Sequence, residues 1–355
     1  MKYRILKFFI IVCLTSGALP SVLHARVVDK LTSARVPVAD RSDIEFARAT
    51  SKALELVLVK LTGDSRTPKS TQGRSVLSKA QRLVQQFGYE KSASSGGAAE
   101  ANLLLRVEFD PEVLSSEMRQ AGLVLWGKER PETRVFIVVR GAGSATVVSN
   151  QRTSDENAAE IQSIVARQAT NRGIPISFPE PAVAAQINVG GSAAEILAHA
   201  SELEQANRVD GVAVAIFEGS PLGLWEAQWL FRVANEQESF ANEGDLVALL
   251  AEEATDSLAD VIGSRYANPA LLGRNESVQL QVTGIYDGTD FARVATYLKS
   301  LDGVEQLFVH RAQNDRISLS AVVQGGYAGL AQSIAFGRLL EPVDSSPGEF
   351  RLVGR

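Results

Sequence analysis

Cysteine is nearly absent from the sequence. The single cysteine, Cys13, lies inside an apolar run near the amino terminus. The rest of the chain contains no thiol, so neither disulfides nor cysteine-based metal sites can stabilise it. Stability must therefore come from the burial of apolar side chains, for which a hydrophobic content of 45% is sufficient.

Histidine is also scarce. The three histidines are His24, His199 and His310, and none belongs to an HxH or HExxH pattern. Zinc and copper sites are usually recognised by such spacing. Gly-x-Ser-x-Gly and Ser-x-x-Lys motifs are likewise missing from any strand-turn-helix context. We therefore predict no metal site, no cofactor and no catalytic residue, and we expect a protein that is not an enzyme.

The sequence has no surplus of positive charge and no basic block. Lys and Arg number 36 against 41 for Asp and Glu, which gives a net charge of −5. An acidic surface repels nucleic acid phosphates and anionic lipid headgroups. We therefore expect neither nucleic acid nor a membrane surface as a partner.

Long apolar runs are confined to the first 25 residues. Three cations lie within the first seven residues and are followed by the apolar run Phe8 to Leu14, which is the pattern of a secretory signal peptide. The run is shorter than the roughly 20 residues that span a bilayer, and Leu23-His24-Ala25 supplies a cleavage site. We predict a signal peptide over residues 1–25, a mature chain without a transmembrane segment, and a periplasmic location.

Helical and strand periodicities alternate along the remaining chain. This alternation predicts mixed α/β and α+β modules, which we place at residues 26–150, 151–268 and 276–355. The last module follows the order strand, helix, strand, strand, helix, which is most of a ferredoxin-like (split βαβ) unit. We expect its final strand between Phe350 and Val353, and we expect the module to fold as a separable unit.

Local signals give more detailed expectations. A helix capped by Ser42 or Asp43 should run to about Leu61 and end at Gly63, because glycine adopts the left-handed conformation that stops a helix. Further expectations are a second helix near residues 73–87, a loop at 92–99, a strand over Trp225 to Val233, and a helix capped by Thr289 or Asp290.

Several short motifs occur together in a fixed order. They are Val36-Pro37-Val38, Leu58-Val59-Lys60-Leu61-Thr62-Gly63, Val84-Gln85-Gln86-Phe87-Gly88-Tyr89, Val107-Glu108-Phe109-Asp110, and Leu125-Trp126-Gly127 with Arg130-Pro131. In this order the chain resembles the exported proteobacterial proteins of domain-of-unknown-function family 2066, over roughly residues 26–262. The resemblance implies a compartment and a layout but no reaction. The second module also resembles the amino-terminal domain of the periplasmic Tol-system propeller protein, and that resemblance implies protein binding.

The tryptophans are the candidates for a site. Trp225 and Trp229 lie four residues apart on one predicted strand, so their side chains project from the same face. Trp126 lies in a turn beside Arg130, where a cation–π contact or a domain junction is expected. We therefore treat Trp126, Arg130 and Trp225 as a possible interaction surface.

The function that these patterns favour is that of a non-enzymatic interaction or envelope-assembly factor whose partner is another envelope protein. Two alternatives remain open. One is a protein that binds a small ligand or peptidoglycan at the Trp126 to Arg130 turn. The other is an acid-based hydrolase whose carboxylates, although scattered in the sequence, converge in space. The sequence leaves the oligomeric state undefined.

Overall fold

The computed structural model describes residues 26–91, 103–141, 143–205, 209–220, 222–233, 236–337, 339–343 and 347–353. The predicted signal peptide at residues 1–25 and the predicted loop at 92–99 lie outside these residues. Within them the chain forms mixed α/β structure, with helices packed on sheets of antiparallel or mixed strands. No helix in the described ranges is long and apolar enough to cross a membrane.

The first sheet is antiparallel and lies close to the amino terminus. After the short strand β1 (Arg26–Val27), it consists of β2 (Ser33–Pro37), β3 (Val84–Lys91) and β4 (Leu103–Phe109), in the order β2-β4-β3. Its helices are α1 (Asp43–Thr62), α2 (Thr71–Leu77) and α3 (Pro111–Gln120). One face of α1 is buried against the sheet, because its apolar residues recur at helical spacing.

The ends of α1 follow the expected chemistry. The Ser42 side chain accepts a hydrogen bond from the Glu45 amide at the start of the helix. Gly63 ends the helix in the left-handed region with φ of 74°. Both features are confirmed, with Ser42 as the cap.

The prediction of a second helix as far as residue 87 is wrong. α2 ends at Leu77, a 3-10 turn covers Ala80–Leu83, and β3 begins at Val84. β3 pairs with β4 along seven residue pairs. The hydrogen bonds available at the edge of β4 therefore outweigh the local helical pattern.

The central sheet is the largest. Its strands are β6 (Thr133–Gly141), β7 (Ser144–Val147), β8 (Ile176–Ser177), β9 (Gly211–Gly219), β10 (Trp225–Val233) and β11 (Glu236–Gly244), in the order β11-β10-β9-β6-β7 with β8 also paired to β6. Its helices are α4 (Glu156–Arg172), α5 (Pro181–Ala184), α6 (Ala193–Glu204) and α7 (Val247–Tyr266). One hydrophobic cluster joins one sheet face to α4 and α7, and another joins the opposite face to α6.

Two features of this sheet differ from the sequence analysis. β6 and β7 fall within residues 26–150, yet both hydrogen-bond in the central sheet with the elements of the second module. β11 has no counterpart among the predicted strands. Its sequence, EQESFANEG, carries little apolar alternation because β11 is a solvent-facing edge strand.

The third sheet lies at the carboxyl-terminal end of the chain. Its strands are β12 (Asn275–Thr283), β13 (Val304–Gln313), β14 (Arg316–Gln324), β15 (Leu340–Pro342) and β16 (Glu349–Leu352), in the order β13-β14-β12-β16-β15. Its helices are α8 (Gly288–Ser300) and α9 (Gly326–Phe336). The cap of α8 is Asp287, whose carboxylate accepts from the amides of Thr289 and Asp290. The prediction that Thr289 or Asp290 caps the helix is therefore wrong, because both residues follow the cap and donate to it.

This third sheet varies the split βαβ order. The strand after α9 would normally lie beside β12, running parallel to β14. Here β15 has that direction but occupies the outer edge, and β16 fills the place next to β12, to which it is parallel. The strand expected at residues 350–353 is therefore present, with an additional edge strand beyond it.

A short two-stranded pairing joins the amino terminus to the turn that precedes the central sheet. β1 pairs with β5 (Glu129–Arg130). This pairing fixes the turn from Leu125 to Arg130 against the first residues of the described chain. The turn therefore lies where the first and central sheets meet.

Candidate functional site

Trp126 and Arg130 lie in the interior at this junction. Their exposed fractions are 2% and 0%, and the guanidinium carbon of Arg130 lies 4.0 Å from the centroid of the Trp126 ring. The predicted cation–π contact is therefore formed. Neither side chain is available as an exposed interaction surface, because both are enclosed by the packed elements around the turn.

Every N–H of the Arg130 guanidinium has a backbone carbonyl partner. Nε donates to Gly127 O at 2.9 Å. One terminal nitrogen donates to the carbonyl oxygens of Arg172 and Gly173, at 3.3 and 2.8 Å. The other donates to those of Lys60 and Trp126, at 2.7 and 3.2 Å. Five donors thus meet five acceptors, which is the full capacity of arginine.

The positive charge of Arg130 is compensated by helix ends. Lys60 lies in the last turn of α1 and Arg172 is the last residue of α4, so their carbonyls carry the partial negative charge of two helix C-termini. Within the described part of the chain no carboxylate lies at ion-pair distance from Arg130, and Asp302 acts on its charge from further away. Burial consequently lowers the pKa of Arg130 to about 9.

A second arginine strengthens the same junction through carboxylates. Arg172 is 4% exposed and pairs with Asp256 at 2.8 Å and with Asp260, both on α7. Asp260 also accepts from the amide and hydroxyl of Ser65, at 2.8 and 2.6 Å. α1, α4 and α7 are therefore held together by charge-assisted hydrogen bonds.

The third sheet also contacts the Trp126 turn. A carboxylate oxygen of Asp302 accepts from the Lys128 amide at 2.6 Å, and burial raises the pKa of Asp302. Asn268, between α7 and β12, is 4% exposed and its side chain donates to Gly329 O at 3.1 Å. The turn is therefore in contact with all three sheets or their helices.

A cleft of about 590 Å³ lies beside this junction. One wall is formed by the edge strand β2, the segment before it, and the Leu56 and Lys60 side of α1. The other wall is formed by the end of α4 and the segment that leads to Phe178. This volume is in the usual range for small-molecule sites.

Positive charge exceeds negative charge in the cleft. Four cations line it against two acids: Lys30, Arg35, Lys60 and Arg106 against Asp29 and Glu108. Arg35 and Arg106 share the carboxylate of Glu90, each at 2.9 Å, and Arg106 also pairs with Glu108. Sequence reasoning did not identify Lys60, because a lysine in the last turn of a helix carries no local signal of a cleft.

A different surface lies at one end of the central sheet. Trp225 and Trp229 face the same side, as predicted, and Trp229 is fully buried while Trp225 is partly buried beside it. Next to Trp225, four leucines are strongly exposed: Leu222 at 89%, Leu246 at 61%, Leu224 at 53% and Leu249 at 50%. The pairing of Trp225 with Gly244 brings the β9–β10 turn and the start of α7 to the same end of the sheet.

A row of acids crosses the sheet at this end. Glu226 lies directly opposite Glu218 on one neighbouring strand and opposite Glu243 on the other. Arg140 continues the row and pairs with Glu218 at 3.3 Å. Cross-strand neighbours of like charge destabilise a sheet, so this arrangement has an energetic cost. Because side chains alternate along a strand, this row projects from the face opposite to Trp225. We call the two sets at this end of the sheet, the four leucines with Trp225 and the acids Glu226, Glu243 and Asp245, the sheet-end surface.

Two histidines lie within the described residues, and both occupy ordinary positions. His199 is about half exposed on α6, and its ring nitrogen lies 3.9 Å from Glu202. His310 forms a hydrogen bond of 2.7 Å with the Ser320 hydroxyl across two strands. Within the described residues, no group of three or more His, Cys, Asp or Glu side chains is placed to hold a metal ion.

Comparison with known proteins gives a partial match. A family model described as a domain of unknown function (DUF8605) matches residues 25–127, a segment that ends before β6. This family differs from family 2066, which the motifs resemble. No curated protein matches the chain.

Solved structures do match. One, described as "Crystal structure of uncharacterized protein", is 10% identical, with 38% of this chain and 91% of that chain covered and a TM-score of 0.19. A TM-score this low carries no argument about fold or function. The comparisons therefore support an uncharacterised domain over the first sheet and its helices.

Proposed function

We propose that the protein is an exported, non-enzymatic interaction factor of the bacterial cell envelope, and that its partner binds at the sheet-end surface. The observation that carries this proposal is the exposure of four leucines at the end of the central sheet that also carries a row of carboxylates. Monomeric proteins rarely expose neighbouring large apolar side chains in this way unless the surface is used for binding.

The chemistry of the surface defines the partner. The leucines supply an apolar centre, and the exposed Asp245 adjoins Leu246. Glu226 and Glu243 are exposed acids at the same end of the sheet, on the face opposite to Trp225. Interfaces typically combine an apolar centre with a polar rim. The partner should therefore be an envelope protein that presents apolar side chains flanked by lysine or arginine.

Export of the chain is part of the same proposal. It rests on the predicted signal peptide at residues 1–25 and on the resemblance to the exported proteins of family 2066. The family match that begins at residue 25 adjoins the predicted cleavage site. Binding of peptidoglycan or a small ligand by the Trp126 and Arg130 side chains receives no such support, because both are buried.

Site-specific crosslinking in living cells tests the proposal. A photoreactive amino acid at Leu222 or Leu246 should give the same discrete adduct, because both positions lie on the sheet-end surface. The matched control is Arg66, whose side chain is 86% exposed but lies beside α1, and this position should give no such adduct. Recovery of the monomer alone, under conditions that capture established envelope complexes, would contradict the proposal.

A variant in which two of the acids are replaced by uncharged residues separates the effect on binding from the effect on folding. Glu226→Gln combined with Glu243→Gln removes the like-charge row, so the folded protein should be stabilised by about 0.2 to 1 kcal/mol per relieved pair. The same variant should give several-fold less adduct, because the basic rim of the partner loses its counter-charges. An unchanged adduct yield would exclude a role for the acids.

A further inference from the structure

The cleft between the first and central sheets contains a positive charge that the protein leaves uncompensated. The Lys60 ammonium donates to Ser33 O at 2.8 Å, and this carbonyl is its one hydrogen-bond partner within the described residues. An ammonium has three N–H donors. Two donors therefore remain available on the cleft side of α1.

The surroundings make this lysine different from the other cations of the cleft. The Arg35 and Arg106 guanidinium groups are neutralised by Glu90 and Glu108. Lys60 has no carboxylate within ion-pair distance in the described part of the chain, and the charges that act on it are those of Arg130 and Arg35. Burial and the nearby positive charges of Arg130 and Arg35 destabilise the protonated form of Lys60. Together they lower the pKa of Lys60 to about 8.

Part of the cleft lining is apolar. Ile174, Pro175, Ile176 and Phe178 contribute it along the segment after α4. Ile176 and Phe178 are only partly buried, so apolar surface remains open to the cleft. A ligand that contacted both the Lys60 ammonium and this apolar surface would carry an anionic group at one end and an apolar group at the other.

We propose that this cleft binds a small amphipathic anion, whose carboxylate or phosphate contacts the Lys60 ammonium and whose apolar part packs against Ile176 and Phe178. The site lies apart from the sheet-end surface and is independent of the proposed interaction function. An anion in contact with Lys60 replaces the missing counter-charge, so binding favours the protonated lysine.

Calorimetric titration at pH 7 with octanoate and octyl phosphate tests the proposal, since these probes share an apolar chain and differ in the anionic group. Both should bind, whereas 1-octanol, with the same chain and no charge, should bind at least about tenfold more weakly. Binding of only one anion would identify the headgroup class. Equal affinity for 1-octanol, or no binding of either anion, would overturn the proposal.

Substitution locates the site. Lys60→Met keeps an unbranched side chain one atom shorter and removes the charge, and it should weaken octanoate binding by about tenfold or more. The control Lys52→Met lies two turns earlier on α1, is exposed and pairs with Glu55, and it should leave the affinity unchanged. Wild-type affinity in Lys60→Met would overturn the assignment.

The wild-type protein provides a test that needs no substitution. Octanoate binding should weaken as the pH rises from 7 to 10, because Lys60 loses its proton. Nuclear magnetic resonance of labelled lysine should show the pKa of Lys60 rising on addition of octanoate. A pKa that octanoate leaves unchanged would place the anion elsewhere.

Discussion

Gly63 and Gly263 touch backbone to backbone where α1 meets α7. A Cβ atom added to Gly263 would lie 2.5 Å from the Gly63 Cα and 2.7 Å from its carbonyl oxygen. Real Cβ atoms do not approach backbone atoms this closely, so the two helices can meet here only because both residues are glycine.

Gly263→Ala should therefore destabilise the protein by about 1 to 3 kcal/mol, the range for overpacking. The backbone conformation of Gly263 accepts alanine, so the cost is steric. Gly288→Ala, also in a helix, is the control because its added Cβ would meet nothing within 4 Å. Urea denaturation should show a lower free energy of unfolding for Gly263→Ala. For Gly288→Ala the free energy of unfolding should rise slightly or stay unchanged.

Arg130→Met should destabilise the folded chain by about 3 kcal/mol or more. The substitution leaves five carbonyls without their donor, and each buried unsatisfied group costs about 1 to 3 kcal/mol where water cannot replace the donor. Arg66→Met, at an exposed side chain, should change stability by no more than about 0.5 kcal/mol. Similar midpoints for the two variants in urea would show that the buried network contributes little.

Much of the local structure, but little of the junction, follows from the sequence. The cap at Ser42 and the strand Trp225–Val233 are encoded by neighbouring residues, and their bounds agree with the prediction. The five acceptors of Arg130 come from three separate segments, and no short pattern specifies that they meet. Lys60 illustrates the same limit, because its cleft exists only once α4 packs beside α1.

The pKa of Lys60 predicts a pH dependence of stability. The folded pKa is about 8 and the ordinary value is 10.5, so between these values the unfolded state holds a proton that the folded state has released. The contribution of Lys60 to the free energy of unfolding therefore rises with pH across that window and is constant below pH 8. Urea unfolding from pH 7 to 10.5 should show the wild type gaining stability relative to Lys60→Met. A constant difference would mean that the pKa of Lys60 is not lowered.

Leu298→Ala should destabilise the third sheet and its helices by about 2 to 5 kcal/mol. Leu298 is 1% exposed within their core, and leucine deletions in packed cores cost this much. Leu222→Ala, at an exposed side chain, is the control. Hydrogen exchange should increase from β12 to β16 and stay unchanged in the first sheet. A uniform increase would show that the Asp302 and Asn268 contacts couple all three sheets into one unit.

The placement of Arg130 has a consequence for the order of folding. Its guanidinium stays hydrated until α1, the Trp126 turn and α4 have all formed, since no single segment supplies more than two of the five acceptors. We therefore expect desolvation of this charge to follow the rate-limiting barrier. We expect Arg130→Met to accelerate unfolding and to leave the folding rate nearly unchanged in stopped-flow measurements. The junction would then determine how long the folded chain persists and not how quickly it forms.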